Sequence, residues 1–224
     1  GEVVLLVLIQ IGGLGVVAVS TFFLVVIGRK ITVKERVMIQ ETYNMESLSG
    51  MVKWILRILK GTFVVEGIGA IFFAFQFIPE YGFLKGIWYS VFHSISAFCN
   101  AGIDILGADS FAAYARNPLI NLTTMILIVA GGIGYTVWFD ITDNIRNFRK
   151  KGERRRGMFK ILTLNSKVAL TMTAILIVTG TVSFLFLELS NPDTLGEFSF
   201  GDKVMGAAFQ SVTTRTAGFF TVPQ

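Results

Sequence analysis

The 224 residues are 53% hydrophobic and 16% charged, with 21 Phe, 23 Gly, 4 Pro and a formal net charge of +5. Soluble domains average about 25% charged residues, so this composition, with a mean hydropathy of +0.65, excludes an ordinary soluble domain. The single cysteine, Cys99, excludes an intrachain disulfide, and one histidine with scattered acids gives no convergent set for an enzyme.

Residues 3–27 carry no charge, which exceeds the roughly 20 residues a helix needs to cross a bilayer and predicts a first span. A basic connection follows, with Arg29, Lys30, Lys34, Arg36, Lys53, Arg57 and Lys60 against Glu35, Glu41 and Glu46. Residues 61–78, interrupted only by Glu66, predict a second span. Residues 86–98 are apolar too, but as a helix they reach only about 20 Å, short of roughly 30 Å of hydrocarbon. Residues 119–139 predict a third span closing on Asp140. A second basic connection holds Arg146, Arg149, Lys150, Lys151, Arg154, Arg155, Arg156, Lys160 and Lys167 against Asp143 and Glu153. Residues 168–187 predict a fourth span closing on Glu188, and 204–214 form a second short apolar segment. By the positive-inside rule both basic connections are cytoplasmic, so both short segments enter from outside. The positive charge is a topology signal, and no nucleic-acid partner is expected. With Gly1 inside an apolar run and Gln224 just after a loop-like motif, the chain reads as an internal fragment of a longer protein.

Two landmarks recur at nearly one period. QIGGLGVV at 10–17 returns as VAGGIGYT at 129–136, and FHSISAFCNAGI at 92–103 returns as FQSVTTRTAGF at 209–219, each about 120 residues later. Each period reads as a span, a short external helix ending in Ala-Gly-hydrophobic, then a span with a GG-x-G kink. The repeats share one orientation, as in parallel repeats about an axis along the membrane normal. The fold expected is therefore an all-α polytopic membrane protein of span, re-entrant half-helix and span units. Non-helical backbone survives at mid-membrane only where it is buried in protein or lines a water-filled cavity. The Cys-Asn-Ala-Gly and Arg-Thr-Ala-Gly runs are expected to be that backbone, with Gly102 and Gly218 free to take positive φ. Their carbonyls can replace a cation's hydration shell, and the half-helix C-termini add partial negative charge aimed at the same place. Asp104 lies at the outer mouth, where it would concentrate cations.

These motifs resemble the Trk/Ktr/HKT superfamily of potassium transporters over essentially the whole chain, and QIGGLG, the basic connection and LTLNSKV (162–168) lean toward the KtrB type. The resemblance implies four repeats arranged pseudo-four-fold around a potassium-channel-like pore, with one filter glycine in each. This fragment would hold the second span of repeat one (1–28), a cytoplasmic connection (29–60) and repeat two (61–142, pore loop 86–104). A basic cytoplasmic connection (143–167) and the first half of repeat three (168–224, pore loop 203–219) would follow. Filters one and four and an intramembrane gating loop would lie outside it, and the fragment alone is not expected to conduct. The implied function is channel-like potassium uptake across a bacterial cell membrane, with some sodium passage. The alternative is a secondary cation transporter with a broken-helix binding site. The implied filter residues are Asn100, Ala101, Gly102, Thr216, Ala217 and Gly218. The transported ion is K+ or also Na+, with no covalent cofactor. Implied partners are a second copy in the membrane, membrane lipid and a cytosolic ring of nucleotide-binding regulatory subunits (KtrA/TrkA-like) on the basic connections.

Other residues invite simpler readings. His93 is expected to be a hydrogen-bonded packing residue, since Gln210 takes its place in repeat three. The GG-x-G runs suit close helix packing; a charge-free span cannot be the strand-turn-helix of a dinucleotide fingerprint. Arg215 beside a filter loop needs a partner and is expected to tie loop carbonyls or an acid into place. Glu66 pairs with a neighbouring span or faces a vestibule, and Cys99 fills space.

Overall fold

The computed structural model describes residues 1–15, 19, 23, 27, 37, 51–107, 110–151, 158–189, 191, 194–196 and 198–221. All regular structure among them is helical. The first helix, α1 (Glu2–Leu14), stops at Gly15, whose φ of 84° lies in the left-handed region. Beyond it the expected first span is described only at 19, 23 and 27. Arg29, Lys30, Glu35, Lys34, Arg36, Glu41 and Glu46 of the first basic connection, and Glu153 to Arg156 of the second, lie outside the described residues.

Helix α2 (Met51–Tyr81) has 31 residues, about 46 Å of helix. It is longer than the 61–78 expected because hydropathy marks only the apolar middle. Lys and Arg are good helix formers, so Lys53, Arg57 and Lys60 continue the same helix. Gly82, at φ 81°, reverses the chain into α3 (Phe83–Phe98). Gly86 lies so close to α2 that an added Cβ would sit 2.6 Å from the Phe77 carbonyl oxygen. That contact lets α3 lie back along α2, and the short helix begins at Phe83, ahead of the expected residue 86.

Asn117 accepts from the Leu119 and Ile120 N–H groups and Pro118 occupies the first turn, so α4 (Pro118–Gly132) starts sharply. The expected third span, 119–139, is not one kinked helix. It breaks at Ile133–Gly134, where Gly134 has φ 86°, and α5 (Tyr135–Lys151) leaves at 99° to α4. The Trp138 Nε1–H donates to the Ala130 carbonyl across this corner at 2.8 Å. The boundary expected between 142 and 143 therefore falls inside α5.

After the single-turn α6 (Met158–Ile161), α7 (Leu164–Glu188) is capped by Thr163, which accepts from the Ser166 N–H. Asp140 of α5 accepts from the Thr163 N–H and hydroxyl at 2.8 and 2.9 Å. Arg57 forms a bidentate ion pair with Asp143, joining α2 to α5. Ser199 caps α8 (Phe200–Thr216) by accepting from the Asp202 N–H. Among the described residues, α2 and α7 are each long and apolar enough to cross a membrane, and α4 and α5 pass the same test only when the bent pair is taken together. Phe73, Phe77, Phe98, Ile120, Phe209 and Phe219 form one buried core across α2, α3, α4 and the α8 unit.

Candidate functional site

The two short helices α3 and α8 end at the two Ala-Gly loops, and the same hydrogen bonds shape both. Ser96 Oγ donates back to the Ile103 carbonyl at 2.6 Å, and Thr213 Oγ1 donates to the Phe219 carbonyl at 2.7 Å. Each hydroxyl ties down the residue just after the glycine. Gly102 (φ 64°) and Gly218 (φ 105°) supply the reversal before it, joined by Asn100 at φ 56°. Among the described residues no hydrogen bond reaches the carbonyls of Asn100, Ala101, Gly102, Thr216, Ala217 or Gly218, nor those of Cys99 and Arg215 just before them, whereas the carbonyls just after, at Ile103 and Phe219, are engaged. These six carbonyls are the ones the sequence proposes as ion ligands.

The loops also touch each other. Thr216 Oγ1 donates to Asn100 Oδ1 at 2.8 Å. A Cβ on Gly102 would meet the Ala217 carbonyl oxygen at 1.9 Å. Asp104 is half-buried beyond them and accepts from the Leu106 N–H at 3.3 Å.

Each half-helix is seated on its preceding span by one shared device. Ser94 Oγ donates to the Glu66 backbone carbonyl at 2.6 Å, and Ser211 Oγ to that of Ile177 at 2.9 Å. A glycine three residues farther along the span makes room. Added Cβ atoms at Gly69 and Gly180 would lie 2.4 and 2.3 Å from Ser94 Oγ and Ser211 Oγ.

The GG-x-G runs hold the loop after α3 from two sides. A Cβ at Gly13 would strike Cys99 Sγ at 2.3 Å, and one at Gly131 the Phe98 carbonyl oxygen at 1.8 Å. Close packing is thus the role of Gly13 and Gly131, whereas a Cβ at Gly12 or Gly134 would meet nothing within 4 Å. Behind the loop, Glu66 is 3% exposed. It accepts from Gln10 Nε2 of α1 at 3.0 and 3.2 Å and from the Cys99 thiol at 3.8 Å. Glu66 therefore pairs with the neighbouring span, and Cys99 is a hydrogen-bond donor as well as a filler.

His93 is fully buried among Phe73, Phe77, Phe92 and Phe111. Its Nδ1 bonds the Tyr89 carbonyl at 2.6 Å and its Nε2 accepts from the Ile105 N–H at 3.4 Å. A neutral imidazole satisfies both, which is a packing role. Arg215 does not reach a loop carbonyl or an acid among the described residues; its Nη2 donates to Thr173 Oγ1 on α7 at 3.4 Å. It ties half-helix to span.

Sequence reasoning missed Ser96, Thr213, Ser94 and Ser211. Their signal was present: aligned at Phe92 and Phe209, the hydroxyls coincide at both positions.

The whole chain, residues 1–224, matches the family model TrkH, described as a cation transport protein. It is 40% identical to the potassium/sodium uptake protein NtpJ of Enterococcus hirae over 99% of this chain and 46% of that protein. It is 37% identical to the Ktr system potassium uptake protein B of Bacillus subtilis, over 98% of this chain and 46% of the relative. Against the protein of the same name from Vibrio alginolyticus the identity is 35%, over 99% and 46%. The chain spans about half the length of the curated relatives it matches.

Proposed function

Since the chain belongs to the TrkH family of cation transport proteins, we propose that it supplies two filter loops of a potassium uptake pathway in a bacterial cell membrane. The observation that carries this reading is the set of carbonyls at Asn100, Ala101, Gly102, Thr216, Ala217 and Gly218 without partners among the described residues, on two loops in contact. A potassium ion stripped of water exchanges its hydration oxygens for these carbonyls. The C-termini of α3 and α8 present partial negative charge to it, and Asp104 raises the cation concentration at the mouth. Ser96 and Thr213 act in positioning, by keeping the next carbonyls turned away.

With one glycine in each loop the site is less uniform than a five-residue potassium filter, so sodium passes more readily than through such a filter. Two relatives bear the name of a Ktr system, which supports a regulatory cytosolic partner seated on the basic connections 29–60 and 143–167. Two copies would assemble side by side in the membrane. Residues 1–28, 61–142 and 168–224 then belong to three successive repeats of one pore.

The test uses a bacterium lacking its own potassium uptake systems. The native protein is expected to restore growth at low potassium and rubidium uptake. Gly102→Ser, at equal membrane expression, should abolish both, because φ 64° disfavours a side chain and the added atom meets the Ala217 carbonyl. Uptake unchanged by this substitution would overturn the filter assignment.

A further inference from the structure

The seam between α2 and α4 is a surface that the filter does not use. Val65, Ile68 and Phe72 of α2 face Leu119, Leu122 and Ile126 of α4 across an apolar cavity of about 470 Å³. Phe72, Leu122 and Ile126 are 46%, 51% and 64% exposed. Pro118 borders both this groove and a second cavity of about 610 Å³ with a mixed lining, whose polar part is Gln76, Glu80, Arg116 and Asn117. The two cavities lie end to end along the outer part of the helix pair, apolar toward mid-membrane and more polar at the end where α2 turns outside.

We infer that this cleft seats one outer-leaflet phospholipid, with an acyl chain between α2 and α4 and a phosphoethanolamine headgroup between Arg116 and Glu80. Three observations select this occupant. From Val65 to Glu80 the α2 helix rises about 22 Å, which matches one leaflet of a bilayer roughly 40–45 Å thick including headgroups. Arg116 is exposed and lies over the Phe198 ring at 4.7 Å. It has no acidic partner among the described residues, so its fork of donors is open to a phosphate, the bidentate partner for which guanidinium geometry is suited. Glu80 is exposed, accepts from Gln76 Nε2 at 3.3 Å and stands beside the Tyr114 hydroxyl; a carboxylate has about four acceptor sites, so capacity for an ammonium group remains. The charges therefore stand as a zwitterionic headgroup would need them, above a groove with the chemistry of its tail. The inference rests on the membrane orientation proposed above and not on the filter.

The experiment is native mass spectrometry of the purified native protein, carried from phosphatidylethanolamine-containing membranes into detergent. Copies of retained phosphatidylethanolamine are counted for the native protein and for Arg116→Ala, Ile126→Trp, Phe186→Trp and Gly102→Ser. Loss of a charge-assisted contact at Arg116 should lower retention about tenfold, and the indole at 126 should block the tail groove to a similar extent. Phe186→Trp, on the exposed face of α7, and Gly102→Ser should retain lipid like the native protein, which separates this inference from the filter reading. Retention equal in all variants would overturn it. So would an Ile126→Cys variant that crosslinks to a second copy or to another part of the protein, because the groove would then be covered by protein. Preference for phosphatidylcholine over phosphatidylethanolamine would also count against it, since Glu80 selects a small ammonium.

Discussion

Gly131 and Gly132 are neighbours at the end of α4, yet alanine should be tolerated at only one of them. A Cβ at 131 would sit 1.8 Å from the Phe98 carbonyl oxygen and 2.9 Å from Asn100 Nδ2. Carbon and carbonyl oxygen approach no nearer than about 3.3 Å, so α3 and α4 must part by about 1.5 Å. The atom in the way is backbone and cannot rotate aside. Overpacking of this kind costs about 1–3 kcal/mol, against at most about 1 kcal/mol recovered from the better helix propensity of alanine. The displacement passes directly to Asn100, whose amide bonds the same Phe98 carbonyl at 3.2 Å and whose Oδ1 holds Thr216. At 132 the added Cβ meets only Asn100 Nδ2, at 3.9 Å, an ordinary contact, and the substitution should be neutral or stabilising by about 0.5–1 kcal/mol. Rubidium uptake and thermal unfolding of the native protein are measured for both variants at equal membrane expression. Gly131→Ala should lose most uptake and unfold at lower temperature, while Gly132→Ala does neither. Indistinguishable variants would refute the idea that the GG pair is there to let α4 touch the end of α3.

Thr213→Val removes the hydroxyl that fixes the Phe219 carbonyl and accepts from the Gly218 N–H at 3.2 Å. The loop should loosen at a cost of about 1–2 kcal/mol, and potassium should compete less well against sodium in dual-tracer uptake, whereas Thr213→Ser restores the preference. Glu66→Ala leaves Gln10 and Cys99 without their acceptor inside the protein, so thermal unfolding should report a loss of about 2 kcal/mol or more. Glu66→Gln, which keeps an acceptor oxygen for Gln10, should lose less than half as much, and equal losses would mean that packing alone accounts for the position.

Much of this architecture was legible because its signals are one-dimensional. Charge-free runs mark α1 and α7, and two copies of Ala-Gly after a short apolar helix mark the loops. A doubled GG-x-G marks the breaks at Gly15 and Gly134. What stayed hidden depends on facing surfaces. A kink at Gly134 could be anticipated from composition, but the 99° turn follows from its φ of 86° and from Trp138 closing on Ala130. The extra turns of α2 escaped because hydropathy registers lipid exposure, and helix continuity needs only the absence of a breaker. Arg215 was placed toward the loop because charge beside a pore demands a partner; Thr173, on the preceding span, supplies one that no sequence spacing reveals. Glu66 needed the position of Gln10 on another helix before its role could be read.

The bond between Asn100 and Thr216 joins positions 116 residues apart, and that separation sets an order of events during synthesis. Contacts so distant in the chain close late and slowly. The loop after α3 therefore leaves the ribosome with its own hydroxyl latch at Ser96 already available, but with the neighbour that completes its shape still to be made. Until α8 arrives, Asn100 and Gly102 are held from one side only. Joining of the two loops is thus a late folding step, and a nascent chain arrested before residue 216 should have α2 to α4 in place and the contact between the loops still unmade.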